Sequence, residues 1–164
     1  MTSERLGRLE ARVEGDATVR RVALRGKLDE ASPISGRAEA WAAGEVTLDT
    51  AELVFINSIG VREWMRLIRG LTERGSKVRL DRCAEVIIEQ INMIDDARGD
   101  AEVRSFHAPY QCPACGLEAS MLIDVERHAA ALRRMEAPAM GCPECGKPME
   151  LYELPEKFFS FLQV

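Results

Sequence analysis

The sequence predicts an α/β protein followed by a smaller cysteine-rich module. Three observations predict it. In the first hundred positions, apolar residues switch repeatedly between strand-like and helical spacing. In the remaining third stand two CPxCG clusters, Cys112–Gly116 and Cys142–Gly146. The chain has 164 residues, 46% hydrophobic and 30% charged. That is enough apolar content for a core, and the length predicts one or two domains at about 100–200 residues each.

The elements follow in order. Thr18–Leu28 carries β-branched residues with partial alternation and reads as a strand. Leu9–Val13 is expected to pair with it across the turn Glu14-Gly15-Asp16. Ser32-Pro33 opens an expected helix to about Ala43, with Gly44 as its stop. Glu45–Leu48 reads as a short buried strand. Ser58–Arg74 places Val61, Trp64, Ile68 and Leu71 on one helical face, and Gly75 ends it. Lys77–Leu80 is the next strand. Ala84–Ile94 is a third helix, with Ile87, Ile88 and Ile91 on its apolar face, and Ala101–Phe106 is a final strand. Strands alternating with helices imply a partly parallel sheet. Beyond it, Met121–Ile123 reads as a strand and Val125–Met135 as a helix between the two clusters.

Cys112, Cys115, Cys142 and Cys145 form two CxxC pairs separated by 26 residues. Each CxxC puts two sulfurs on one turn, and the glycine after it permits the positive φ such a turn needs. Two facing turns complete a tetrahedral four-thiolate site. Zinc is the metal this donor set favours; iron in its place, four reduced thiols and two disulfides are the alternatives. Four cysteines close the shell, so the expected Zn2+ is a single structural ion. His107 and His128 are weighed as substitute ligands, and surface or packing roles are the more frequent ones for such residues. Cys83 is left over as a buried free thiol.

Charge and composition exclude several classes. The net charge is −5, and between Pro109 and Glu150 four basic residues face six acidic ones, a net of −2. Nucleic-acid affinity comes mostly from phosphate neutralisation, so this module is poorly charged for it. No apolar run approaches the ~20 residues of a membrane span, and MTSERLGRLEARVEGD has no signal-like apolar stretch. A cytoplasmic protein is expected. No Gly-rich phosphate loop and no HExxH is present, and Ile56 stands where a nucleophile elbow needs glycine, so an enzyme is not expected.

Ser58 stands where a strand-loop segment meets a helix, a favoured N-cap position. Around it, VALRGKLDE and VTLDTAELVFINSIGVREWMRLIRGLTERGSKVRL resemble the STAS domain. That family includes bacterial anti-sigma factor antagonists and the cytoplasmic parts of sulfate transporters. The match rests on Gly26, Leu28, Asp29, Leu48 and Asp49, then Phe55 through Gly60, and covers about residues 8–106. The resemblance implies a STAS-like mixed sheet with helices packed on it. It also implies that Ser58 is a phosphoacceptor and that Asp29, Asn57, Ser58, Ile59, Gly60 and Arg62 contact a regulatory protein partner, a kinase or anti-sigma factor. Two positions depart from the family pattern: Asn57 replaces its usual Asp, and Ile59 replaces a small Ser or Thr. An N-cap serine that merely shapes a binding face is the rival reading of Ser58.

The expected organisation is a STAS-like domain over 1–106, a zinc ribbon with an inserted helix over 107–153, and an apolar tail over 154–164. The family's usual closing helix is missing from the sequence. Phe158, Phe159, Phe161 and Leu162 are therefore expected to return and cover the surface it would occupy. The expected function is a non-enzymatic, anti-sigma-antagonist-like signalling module. The alternative is a zinc-ribbon nucleic-acid-binding or scaffold protein without a phosphoswitch.

Overall fold

A computed structural model describes residues 1–162. Gln163 and Val164, the end of the expected tail, lie outside the described residues. Six strands form the first sheet: β1 (Thr2–Leu6), β2 (Leu9–Gly15), β3 (Val19–Leu28), β4 (Glu45–Ile56), β5 (Lys77–Asp81) and β6 (Glu102–Val103). They lie in sequence order across the sheet. β1, β2 and β3 are antiparallel neighbours, whereas β3 through β6 run parallel. The expected hairpin of β2 and β3 is present, and β1 extends it by a further strand that the sequence did not signal.

Alternation along the strands sends Val22, Leu24, Val46, Leu48, Val78 and Leu80 into one core. Three helices complete it: α1 (Ala38–Trp41), α2 (Ser58–Glu73) and α3 (Glu85–Met93). Trp41, Trp64, Leu67, Leu71, Ile87 and Ile88 are fully or almost fully buried. The Trp64 indole N–H is satisfied by the Ala97 carbonyl at 2.7 Å, so the largest core side chain leaves no polar atom unpaired. The other face of the sheet carries charge. Arg25 pairs with Glu52, and Arg79 with Glu45.

Two expected elements differ in extent. The helix from Ser32 to Ala43 is a 3-10 turn, Ile34–Arg37, followed by the single turn α1. Ser32 does not cap it, because its hydroxyl donates to the Lys27 carbonyl at 3.2 Å. The strand expected to stop at Leu48 runs on to Ile56. Its polar interruption is neutralised by distant partners. Asp49, 2% exposed, accepts from Arg21 at 2.6 Å and from Arg82 Nε at 2.9 Å. The Thr50 hydroxyl accepts from the Ala84 amide at 2.9 Å, at the start of α3. Two register shifts against β3 follow Asp49, so β4 bulges twice before its end.

The cysteine-rich segment forms a second, four-stranded antiparallel sheet of β7 (Ser105–Gln111), β8 (Glu118–Asp124), β9 (Met140–Gly141) and β10 (Pro148–Leu151). The order is β8-β7-β10-β9. The strand expected over Ala101–Phe106 is divided between the sheets. β6 pairs with β5, and the chain pairs with β8 from Ser105 onward. The Arg104 carbonyl marks the change by accepting from Val125 N–H at 2.9 Å. The helix expected over Val125–Met135 shrinks to α4 (Ala129–Arg133). The Asp124 carboxylate holds a turn at Arg127, and Met135 takes a φ of +55° that ends the helix. The two sheets are joined where Cys83 N–H bonds Ser105 O at 3.0 Å and His107 N–H bonds Cys83 O at 2.8 Å.

After β10 the chain returns to α3 through α5 (Pro155–Phe158) and a 3-10 turn at Ser160–Leu162. Phe158, Phe159 and Phe161 are buried around Phe106, with ring centroids 6.3, 5.9 and 5.1 Å from it. Asn92 on α3 holds the backbone. Its amide donates to Phe158 O at 2.9 Å, and its carbonyl oxygen accepts from Phe161 N–H at 3.0 Å. Phe159→Ala is expected to cost about 3–5 kcal/mol of stability, as for other aromatic-to-alanine core changes, read as a lower midpoint in urea denaturation.

Candidate functional site

Two constellations carry the candidate chemistry. The first is the edge where β3 and β4 end and α2 begins. Asn57, with extended backbone, is the N-cap of α2, and its side-chain oxygen accepts from Gly60 N–H at 2.9 Å. This corrects the N-cap reading of Ser58. Ser58 is the first residue of the helix, is exposed, and has no capping duty. Gly60 is required by packing: a Cβ there would lie 2.1 Å from the Leu28 carbonyl oxygen. The same carbonyl accepts from Asn57 N–H at 3.3 Å, which ties the helix start to the end of β3.

Asp29 lies inside this edge and not on its surface. It is fully buried, and its carboxylate accepts from Arg8 Nε at 2.8 Å and from Ala31 N–H at 3.0 Å. The Ala31 amide, with help from Arg8, holds its pKa below the ordinary carboxylate range. Its neighbour Glu30 is the carboxylate that reaches the helix start, accepting from Asn57 Nδ2 at 2.8 Å. Ile59 is exposed at the first turn of α2, as is Arg62 one turn later. Glu63, next along the helix, is turned away and accepts from the Ser35 amide and hydroxyl. Sequence reasoning missed Val54, and named Phe55 only as a motif residue; they are 67% and 43% exposed. The unbroken apolar run Leu53–Ile56, too continuous for a half-buried strand, is the signal that could have found them. The Lys27 ammonium lies 5.8 Å from the Phe55 ring centroid.

The second constellation is the four-cysteine cluster. Both CxxC turns are built alike. Gly116 N–H bonds Cys112 O and Gly146 N–H bonds Cys142 O, at 2.8 and 2.9 Å, with φ of +81° and +76° at the two glycines. One turn connects β7 to β8 and the other β9 to β10. All four sulfurs lie within 4.8 Å of one another, with Cys112–Cys145 at 3.5 Å and Cys115–Cys142 at 3.6 Å. These separations exclude disulfides and bracket the roughly 3.8 Å between thiolates around a tetrahedral zinc. The cluster fits a zinc ribbon. Among the described residues neither histidine belongs to it.

The donor chemistry also suits a cation. The amides of Cys115 and Ala114 draw the Cys112 thiol down to about 7. The Leu117 amide favours a thiolate at Cys115, but burial and the Cys142 and Cys112 sulfurs push that thiol up to about 12. One sulfur ionises readily and its neighbour then resists, a conflict that a divalent cation removes. Away from the cluster, burial pushes the Cys83 thiol up to about 12, consistent with an inert packing role.

His107 sits at the junction of the two sheets, and among the described residues neither ring nitrogen has a hydrogen-bond partner. Burial, with help from the Arg82 charge, holds its pKa below the ordinary histidine value, against the carboxylates of Glu85 and Asp49.

No protein-family model matches the chain. A stretch of 44 residues is 41% identical to part of a DNA ligase from Acidobacterium capsulatum; it spans 27% of this chain and 6% of the ligase. Among solved structures, the unphosphorylated form of the anti-sigma factor antagonist SpoIIAA is similar over 57% of this chain and 86% of that one, at 16% identity and a TM-score of 0.43. Among the described residues, no helix is long and apolar enough to cross a membrane.

Two outcomes are expected. In native, metal-loaded protein, Ellman's reagent finds Cys83 unreactive, and a chelator releases four thiols; Cys83 reacts only once the six-stranded sheet unfolds. Stability falls as pH drops from about 7 to 5, because the unfolded chain protonates its histidine before the native His107 does. His107→Phe flattens that slope in pH-dependent urea titrations.

Proposed function

We propose that this chain is a non-enzymatic, cytoplasmic signalling module of the anti-sigma-antagonist type. It binds a regulatory protein partner, a kinase or anti-sigma factor, through the edge around Ser58. The observation that carries this reading is an exposed Ser58 hydroxyl, free of capping, beside the exposed apolar residues Val54, Phe55 and Ile59. The STAS-like motif supports the same reading. Asn57, Ile59, Gly60 and Arg62 shape or border the contact surface, and Asp29 supports its loop from beneath.

Phosphorylation of Ser58 is the proposed switch. A phosphate adds about −1.5 to −2 charge and three acceptor oxygens. On this chain it would meet the helix N-terminus, which is locally favourable. In a complex it would be a charge within an apolar contact, which is costly. The modified and unmodified chains therefore differ in affinity without any change of fold.

The four cysteines are proposed to hold one structural Zn2+. Cys112, Cys115, Cys142 and Cys145 fill all four positions, so the ion supplies cross-linking of the two hairpins and offers no open site for a substrate. The ligase similarity favours a second reading, nucleic-acid binding, whereas the net charge of −2 between Pro109 and Glu150 opposes this module as its route.

Affinity capture from the native cell with wild type, Ser58→Ala and Ser58→Glu tests the switch. The expected result is a partner held by wild type and Ser58→Ala and lost by Ser58→Glu. Equal capture by all three contradicts the phosphoswitch. A gel shift at low salt with the whole chain decides the second reading.

A further inference from the structure

We infer that the partner presents an acidic surface with an apolar centre to the Ser58 edge. The inference rests on the reading of that edge as a protein-binding face and adds the chemistry of what binds there.

The centre of the face is apolar. Val54, Phe55 and Ile59 are 67%, 43% and 39% exposed, from the end of β4 and the first turn of α2. The second bulge of β4 falls between the residues paired with Gly26 and Lys27, where Val54 is the extra residue. Such a bulge re-aims side chains. It accounts for two consecutive apolar residues both reaching solvent where strict alternation would bury one.

The rim is basic and uncommitted. Lys27, Arg62 and Arg66 are exposed, and among the described residues none of them forms an ion pair. Arg62 and Arg66 are four residues apart on α2, a spacing at which like charges repel. The nearby carboxylates are already engaged within the chain. Glu30 accepts from Asn57, Glu52 pairs with Arg25, and Glu63 accepts from Ser35. Lys27, Arg62 and Arg66 are thus left without a carboxylate bound to them, on a chain whose net charge is −5. Carboxylates on a partner would match them.

A protein fits better than the other polyanions. The apolar centre is three side chains at a strand end and one helix turn, not the long apolar helix face that anchors a protein in a bilayer interface. Single-stranded nucleic acid needs free aromatic faces to stack on, and Lys27 covers the Phe55 ring.

The test uses the full, metal-loaded chain. p-Benzoylphenylalanine in place of Phe55 is photo-crosslinked in the native cell, and the crosslinked segment is sequenced. The purified partner is then titrated against wild type, Arg62→Glu/Arg66→Glu, and the control Arg5→Glu on β1. The expected segment carries Asp or Glu beside apolar residues. The double reversal weakens binding at least tenfold, the control does not, and added salt weakens wild-type binding. A partner whose affinity is indifferent to the double reversal overturns the acidic-surface inference and leaves the protein-binding reading standing. Absence of any crosslinked protein overturns both. Binding of a 20-mer oligonucleotide or of phosphatidylglycerol vesicles that is lost in Arg62→Glu/Arg66→Glu replaces the protein partner with that polyanion and also overturns it.

Discussion

The clamp of Arg21 and Arg82 on the buried carboxylate of Asp49 is the interaction on which the other features depend. A buried carboxylate in the middle of a parallel strand is costly unless its charge is matched. Here it is matched from two sides, by Arg21 on β3 and by Arg82 just beyond β5. With the charge neutralised, β4 continues past the end of β5 and delivers Asn57 and Ser58 to the sheet's edge. Arg82, held in place by the same carboxylate, takes a φ of +46°, a conformation rare for a side chain of its size. That turn directs the backbone of Cys83 toward β7. Ser105, the first residue of β7, closes the arrangement by accepting from Arg82 N–H and donating to Asp81. One ion cluster therefore sets both the strand that leads to the Ser58 edge and the turn that receives the four-stranded sheet.

This dependence explains which parts of the fold were legible in the sequence. α2 was legible because its signals are local: Val61, Trp64, Ile68 and Leu71 share a face, and Gly75 follows with a φ of +84°. The two CxxC turns were legible for the same reason, since each is closed by its own glycine. The length of β4 was not. Asp49 and Thr50 read as a polar stop because Arg21 is 28 residues before Asp49, Arg82 is 33 after it, and Ala84 is 34 after Thr50. The Ser58 site was legible as a location, through a motif, but not in its details. Asn57 and Ser58 are both good capping residues, and only the backbone angles decide which one caps. Asp29 looked like a surface group because its burial depends on Arg8 and on a loop that closes over it.

The sheet's uncovered face narrows where a partner can bind. A parallel sheet is ordinarily covered on both sides. This one leaves a face open and fills it with pairs such as Arg25–Glu52 and Arg79–Glu45, so charge is balanced strand by strand. Such a face is well solvated and offers little unmatched chemistry. The Ser58 edge differs in both respects, with its apolar residues exposed and its cations unpaired. On the proposed reading, a partner would find its distinguishing contacts where β4 and α2 meet, away from the broad surface of the sheet.

The tail shows how the two sheets act as one body. Phe106 and the tail rings are separated by about fifty residues of chain, all of which fold as the second sheet and its turns. A cross-link between Cys112 and Cys145 would shorten the effective loop to about twenty residues, which favours closure by only about 1 kcal/mol. Burial of three phenylalanine rings contributes about 1.5–3 kcal/mol each. The rings, the Asn92 bonds and the Arg98 contact to Phe161 O therefore hold the tail, with the metal as a minor aid. Loss of the proposed metal would loosen the two CxxC hairpins and leave α3 covered. The tail is held by contacts outside the four-cysteine cluster, which makes that module an attachment and not the clasp of the fold.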